Sequence, residues 1–375
     1  MNRGFYLTLM MGSFNANPVP QAVIDALTEV QVTTTVGSQG GFQLKFTLGK
    51  NSALAQMQAS GYFDPRRRVI IAVTVNGATE VLMDGIITKL DYTPSSAAGK
   101  ATLSITGLDL TALMDFIDFT GIPYPALPKF LIVEAILAKY AVFGVVPVAL
   151  PASIPDIENP LDRFLKQDGS DYEYVTTLAR EDGAVFYLDP GPKPGSSMAY
   201  FGPDLSKMFG GMQPALSINF DANTNIDSLS FSYDGTLATQ YLVTIIEQNT
   251  GLPIPIPVPN LDLLKAPLGA HTPTVFRVRQ LRPAANEKPA QAASMALGKL
   301  FEAPDVISAS GQLDVLRYGH VFKARQLAAV RGAGSYYDGK YYVKSVTHNI
   351  KRGEYKQSFT LSRGGIGSSI STVSV

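Results

Sequence analysis

Between residues 41 and 48 the chain reads GFQLKFTL, setting Phe42, Leu44, Phe46 and Leu48 against Gln43, Lys45 and Thr47. That alternation is the mark of a strand with one buried face. RVIIAVTV at 68–75 is instead continuously apolar and β-branched, as a strand covered on both sides should be. EVLMDGIITKLDYT and KATLSITGLD follow, the second alternating Ala101, Leu103 and Ile105 with Thr102, Ser104 and Thr106. Short, regularly spaced strands broken by Gly and Pro predict a sandwich or barrel. From about residue 113 the period lengthens. Pro128 opens a helix with Val133, Ile136, Leu137 and Tyr140 on one face. A second helix starts at Ser170, which forms a capping box with Glu173, and ends at Gly183 before the apolar strand AVFYL.

Strand patterns return with PALSINF and SLSFSYDG. They are interrupted by LPIPIPVP at 252–259, where prolines alternate with Ile254, Ile256 and Val258. Proline cannot donate to a central ladder, so this segment is expected as an extended strap or sheet edge. A helix is predicted at 289–301, with Ala293, Leu297, Leu300 and Phe301 in one stripe, and the chain is again β from about 306 to 363. Two hairpins share a plan. Residues 83–107 and 337–365 each begin with a DG pair (Asp84-Gly85 and Asp338-Gly339), then carry a strand, a turn and a second strand. Lys100, Leu103, Ser104, Ile105 and Thr106 align with Lys356, Phe359, Thr360, Leu361 and Ser362. The likeness fits two duplicated β domains, and it fits equally the general similarity of hairpins.

The 375 residues suit two or three domains. Lys plus Arg equals Asp plus Glu, 31 each, so no net field attracts nucleic acid or an anionic membrane. The absence of cysteine removes disulfides, thiolate catalysis and Cys-based metal sites. The three histidines, 271, 320 and 348, are widely spaced and form no metal-binding motif. The apolar run from Phe5 to Met11 reads as a first strand rather than a signal peptide, and no stretch approaches the roughly 20 apolar residues of a membrane helix.

Candidate chemistry is sparse. Glu181/Asp182 ends a helix and Asp156/Glu158 sits in a Pro-flanked loop; neither pair has the setting that acid–base work on a glycosidic bond requires. The sequence has no G-x-S-x-G elbow and no phosphate-binding glycine loop. Arg66, Arg67 and Arg68 read as a solvated strand entry. His348 reads as a hydrogen-bonded residue on a strand face shared with Tyr342, Lys344 and Val346. No catalytic, cofactor or metal residue is expected, which leaves a scaffold or binding protein.

The segment YYDGKYYVKSVTHNIKRGEYKQSFTLSRGG resembles the C-terminal barrel of phage tail hub proteins of the late control protein D family, which includes the hub part of VgrG-type spikes. The likeness falls on Asp338, Gly339 to Val343, Val346 to His348, Gly353, and Phe359 to Arg363. It extends to Asp84, Gly85 and the exit at Gly107 to Leu110 with Asp109, and to the middle helix that carries Tyr174. The resemblance implies a mainly β fold with α/β insertions (α+β): two similar tube-like antiparallel β-barrels per chain plus a helix-containing middle region. The expected division is a first barrel at 1–112, an α/β domain at 113–205, a second barrel at 206–246 and 310–365, a Pro-rich strap and helix at 247–309, and a tail at 366–375. It further implies a homotrimeric baseplate hub whose six barrels adapt a sixfold tail tube to a threefold spike. The implied partners are tail tube proteins, a trimeric spike protein and baseplate wedge proteins, with tape-measure protein or cargo in the lumen, no sequence-specific nucleic acid and no membrane insertion. Such a protein is made in the cytoplasm and built into a virion or extracellular particle, its tail lying along a neighbouring subunit or the spike. A tail-associated peptidoglycan hydrolase and a carbohydrate- or receptor-binding β protein are the alternatives.

Overall fold

Alternation and β-branching produce the expected strands in the computed structural model, which describes residues 4–49, 52–95, 101–151, 165–206, 210–219, 221–246, 253–257, 268–281 and 305–368. The first unit contains β1 (Phe5–Gly12), helix α1 (Gln21–Ala26), β2 (Leu27–Thr35), β3 (Gly41–Leu48), helix α2 (Ala53–Ala59), β4 (Arg68–Val75), β5 (Ala78–Thr93) and β6 (Ala101–Asp109). Phe42, Leu44, Phe46 and Leu48 all point into the core, and β4 is buried along nearly its whole length. Val23 of α1 and Leu54 of α2 cap that core.

The middle region follows, with α3 (Lys129–Ala138), β7 (Val145–Ala149), α4 (Asp171–Asp182), β8 (Val185–Pro190) and β9 (Ser197–Gly202). Helix α4 has the expected capping box from Ser170 and Glu173, and it terminates at Gly183 with φ 65. Ile132, Val133, Ile136 and Leu137 of α3 join Val175 and Leu178 of α4 over the sheet β8-β9-β7, forming a second hydrophobic core. Tyr140 lies in the turn beyond α3 and is only partly buried.

The second unit opens with β10 (Met212–Ser217) and β11 (Ser228–Tyr233). The inserted strands β12 (Thr239–Ile246), β13 (Pro253–Pro257), β14 (Gly269–His271) and β15 (Arg277–Leu281) come next. The unit is completed by β16 (Ile307–Asp314), β17 (Leu327–Arg331), β18 (Gly339–Lys351) and β19 (Glu354–Arg363), and β20 (Ile366–Ser368) ends the described chain. The Pro-alternating segment is an edge strand, with β13 pairing only β12 among the described residues. The helix predicted at 289–301 lies outside the described residues. The first three residues of the expected tail, in β20, pair with β14 of the same chain, and the rest of the tail lies outside the described residues.

Both units share one strand order. The first runs β1-β4-β5-β6-β3-β2 and the second β10-β17-β18-β19-β16-β11, so strands of the same rank occupy the same place. One difference is direction: β1 and β4 are antiparallel, whereas β10 and β17 are parallel. The two series fuse through β2 and β18, which pair antiparallel from Thr35↔Ser345 to Glu29↔Lys351. With the two-residue strand Asn17–Pro18 they make a single 13-stranded sheet, and one hydrophobic cluster runs through both units.

The structure changes the internal alignment. A bulge interrupts β5 between Ile87 and Lys89 opposite β6, and another interrupts β18 between Val343 and Ser345 opposite β19. Placing bulge on bulge makes Gly107 equivalent to Leu361, and Ile105 to Phe359. That is two residues from the alignment read in the sequence. Nor are the DG pairs equivalent: Asp84 pairs Ile70 in mid-strand, whereas Asp338 precedes β18. A period of two cannot detect a slip of two, because every side chain keeps its face.

The bulge also reverses the alternation in β18. Tyr341 and Val343 face the core before it, and Val346, His348 and Ile350 after it. Tyr342 and Lys344 therefore do not share the His348 face, because an unpaired residue shifts parity by one. Each unit has one glycine directly across from a phenylalanine on its third and sixth strands. A Cβ at Gly107 would lie 2.2 Å from the Phe42 ring, and one at Gly311 would lie 2.6 Å from the Phe359 ring. Gly107→Ala and Gly311→Ala should each cost about 1–3 kcal/mol, measured as a lower urea midpoint with an unchanged m-value.

Candidate functional site

The motif residues gather in two places. The first is where the first unit meets the middle region. Arg68 opens β4 and Asp84 faces it from β5; Nε and Nη2 of Arg68 donate to Asp84 at 2.8 and 2.7 Å, and both side chains are buried. Nη2 also reaches the Phe143 carbonyl at 2.7 Å. Arg68 is thus no solvated strand entry, as the sequence suggested, but half of a buried clamp between the β sheet and the middle region. Burial raises the Asp84 carboxyl above the usual range, opposed by the Arg68 guanidinium and by a hydrogen bond from Ser197. Beside it, a Cβ at Gly85 would sit 2.1 Å from the Leu108 carbonyl, so only glycine permits this approach of β5 to β6. Asp109 closes β6 by accepting from the Gly40 N–H at 2.6 Å and the Thr111 N–H at 3.0 Å; burial pushes its carboxyl up. Tyr174 is buried on α4 with its ring stacked on Tyr124 at 6.0 Å, and burial lifts its phenol to about 12.

The second group lies around the β18–β19 hairpin. Gly353, at φ 77, makes its turn. Arg363, fully buried, folds back so that Nη1 and Nη2 donate to the carbonyls of Asp338 and Tyr336, both at 2.9 Å, with the guanidinium 4.5 Å over the Tyr341 ring. Gly339, at φ +127, makes room for it: a Cβ there would be 2.8 Å from Nη1. Burial lowers the basicity of Arg363. Val343 packs in the core. The Nδ1 atom of His348 lies 2.8 Å from the Tyr355 hydroxyl and 3.1 Å from Nε2 of Gln357. The Gln357 amide is oriented by both backbone groups of Phe322, so its N–H donates and Nδ1 of His348 accepts, leaving the ring proton on Nε2. Burial drives the imidazole down to about 3. His348 is a neutral core residue.

A third cluster was invisible in the sequence. Arg325, at φ 61 in an irregular segment of the second unit, ion-pairs with Asp189 of β8 and lies 4.2 Å over the Tyr187 ring. Close by, Lys323 pairs with Glu80 of the first unit at 2.7 Å. One short segment therefore clamps all three regions, and nothing periodic in its sequence announces it.

Of the acidic pairs, Glu181 pairs with Lys129 at 3.2 Å on the helical layer; Asp156 and Glu158 lie outside the described residues. A cavity of about 380 Å³ is lined by Asp227, Asp314, Leu316, Arg317 and Lys356. Its charges are engaged with one another: Asp227 pairs with Arg317 and Lys356, and Asp314 caps a helical turn. Among the described residues no group of three or more His, Cys, Asp or Glu could hold a metal, and no helix is long and apolar enough to cross a membrane. Among the described residues these groups form clamps and seams.

Compared as a sequence, the chain matches no family model and no curated protein. Compared as a structure, it is similar to a tail protein of Neisseria meningitidis, with TM-score 0.59, 12% identity and 96% of each chain covered. It is similar in the same way to the 43 kDa tail protein of prophage MuSo2 from Shewanella oneidensis, with TM-score 0.58, 14% identity and 96% of each chain covered. A third likeness is to an E. coli component of the type VI secretion system that is itself structurally similar to the T4 tail proteins gp27 and gp5; there the TM-score is 0.52 at 12% identity, covering 90% of this chain and 73% of that one. The chain has a phage tail hub-like fold, mainly β with α/β insertions.

Two measurements check the clamps. With a folded pKa of about 3 against an unfolded value near 6.5, His348 takes up its proton only on unfolding, so its contribution is complete above pH 6.5 and falls as pH drops. His348→Gln, which keeps a hydrogen-bonding amide, should remove about 2 kcal/mol of the loss between pH 7.5 and 5 in urea titrations. Asp84→Ala strands the buried Arg68 charge and should cost about 3–5 kcal/mol, whereas the double variant Arg68→Met/Asp84→Leu should cost less than Asp84→Ala alone.

Proposed function

We propose that the chain is a structural baseplate hub of a contractile tail or phage-like injection system, a homotrimer whose six barrels adapt a sixfold tail tube to a threefold spike. The observation that carries this reading is the repeated strand order, β1-β4-β5-β6-β3-β2 and β10-β17-β18-β19-β16-β11, joined in one sheet. Two quasi-equivalent units per chain allow three chains to present six similar faces to a sixfold neighbour, while the middle region, present once per chain, retains threefold symmetry. The likeness to tail proteins over 96% of both chains supports the same role. A chain of the Francisella PdpA–VgrG complex shares the fold at TM-score 0.58 and 8% identity, over 99% of this chain and 60% of that one. That likeness supports a spike protein as one neighbour, with tube and wedge proteins as the others.

Within this proposal the functional division is that read from the sequence: barrels at 1–112 and at 206–246 with 310–365, the α/β domain at 113–205, the strap and helix at 247–309, and the tail at 366–375. The hub acts by shape. Its buried carboxylates and guanidinia hold regions together, and no step of chemistry is assigned to them. Native mass spectrometry or cryo-EM of the particle should show three copies in a ring; only monomers or dimers in the presence of the spike protein would refute it. Purified protein incubated with cell wall should leave it intact, and solubilised peptidoglycan would favour the hydrolase reading.

A further inference from the structure

The seam inside one chain is a template for a seam between copies, an inference that rests on the hub reading. The fifth strand of the second unit, β18, is divided at its bulge. Gly339–Tyr342 pairs with β17, and Ser345–Lys351 pairs with β2, the second strand of the first unit. The fifth strand of the first unit is divided in the same way. Ala78–Ile86 of β5 pairs with β4, while Lys89–Thr93, past the bulge, pairs only with β6 among the described residues. The second strand of the second unit, β11, likewise pairs only with β16 among the described residues. Each chain therefore makes one joint between a second and a fifth strand, and carries the two complementary halves of another.

We propose that β11 of one copy adds antiparallel to Lys89–Thr93 of the next copy. Seams within and between chains then alternate around a closed ring. Such a joint is heterologous, and closes only if the rotation per copy divides the circle.

The equivalences set its register. Val32 faces Phe42, which faces Gly107; Phe231 faces Ala309, which faces Leu361. Gly107 and Leu361 both pair with the residue preceding a bulge, so Phe231 takes the place of Val32. Val32 meets His348, four residues past the bulged Lys344, and Tyr92 stands four past Thr88. Phe231 of one copy then faces Tyr92 of the next, Ser232 faces Asp91, and Asp234 faces Lys89. That last pair is of opposite charge. It brings attraction to a place where the internal seam has the neutral pair Thr35 and Ser345.

Exposure agrees. Tyr92 is 54% exposed and Tyr233 40%, on strands whose other large apolar residues are at least partly buried. Strand β11, SLSFSY, carries neither the charge nor the proline that natural edges use to refuse a partner.

The chain contains no cysteine, so introduced pairs report without background. In the internal seam the hydroxyls of Thr33 and Thr347, which occupy the equivalent places to Ser232 and Asp91, are 3.1 Å apart. Two cysteines there lie within disulfide reach. Oxidised full-length protein carrying Asp91→Cys and Ser232→Cys should run as covalent trimers on a non-reducing denaturing gel, while each single variant stays monomeric. Thr79→Cys with Ser232→Cys, placed before the bulge, should not cross-link. A protein that is trimeric by native mass but leaves Asp91→Cys/Ser232→Cys uncross-linked overturns the strand pairing and leaves the hub reading standing. Covalent species that stop at dimers overturn the ring. Protein that is monomeric by native mass, with no cross-link, removes both.

Discussion

Everything else in this fold depends on the antiparallel joint between β2 and β18. Without it the molecule is two six-stranded sheets, with open backbone donors and acceptors along β2, which ends the first, and along the Ser345–Lys351 half of β18 in the second. With it, those groups are satisfied and one apolar cluster passes beneath both units. The seam is stitched on its outer face by Thr33 with Thr347 at 3.1 Å, Gln31 with Asn349 at 3.3 Å and Glu29 with Lys351 at 3.8 Å. On the inner face Val30 meets Ile350, and Val32 meets His348. A slip of one residue would turn His348 outward and bury polar neighbours, so the joint has one stable register.

The middle region is held differently. Its own core, around α3, α4 and the sheet β8-β9-β7, is separate from the shared cluster. What anchors it includes ion pairs: Arg68 with Asp84, both buried, against the first unit, and the buried Arg325 with the partly exposed Asp189 against the second. Buried ion pairs contribute little net stability against apolar replacements, but breaking one side is costly and their directionality fixes orientation. On the proposed hub reading, in which faces meet a tube and a spike at fixed angles, orientation matters more than stability. The single-segment junction of Lys323 and Arg325 serves the same end, since it touches the first unit and the middle region from the second.

Much of this was legible from spacing. The strands at 41–48 and 68–75, the capped helix from Ser170 to Gly183 and the hairpin around Gly353 follow from local rules of period, capping and turn chemistry. The likeness between two hairpins was visible too, but its alignment was two residues out. The bulges at Thr88 and Lys344 that set the register show in the sequence only as a break in parity, which a strand pattern of unbroken period two passes over. The same blindness placed His348 on a face with Tyr342 and Lys344.

By itself, then, the sequence determined the strands at 41–48 and 68–75, the helices begun at Pro128 and Ser170 and the hairpin around Gly353, though not α1 and α2, and it showed that the chain lacks the residues for thiol and Cys-metal chemistry. Each of these is carried by nearest neighbours in the chain or by composition. Only the tertiary structure decided that Arg68 is buried rather than solvated, that the segment of Lys323 and Arg325 bridges three regions, and that the two series of strands share one order and one sheet. Those outcomes depend on contacts between residues as distant as Thr33 and Thr347. No local pattern encodes such a contact, because what selects it is the burial and hydrogen bonding of two surfaces at once.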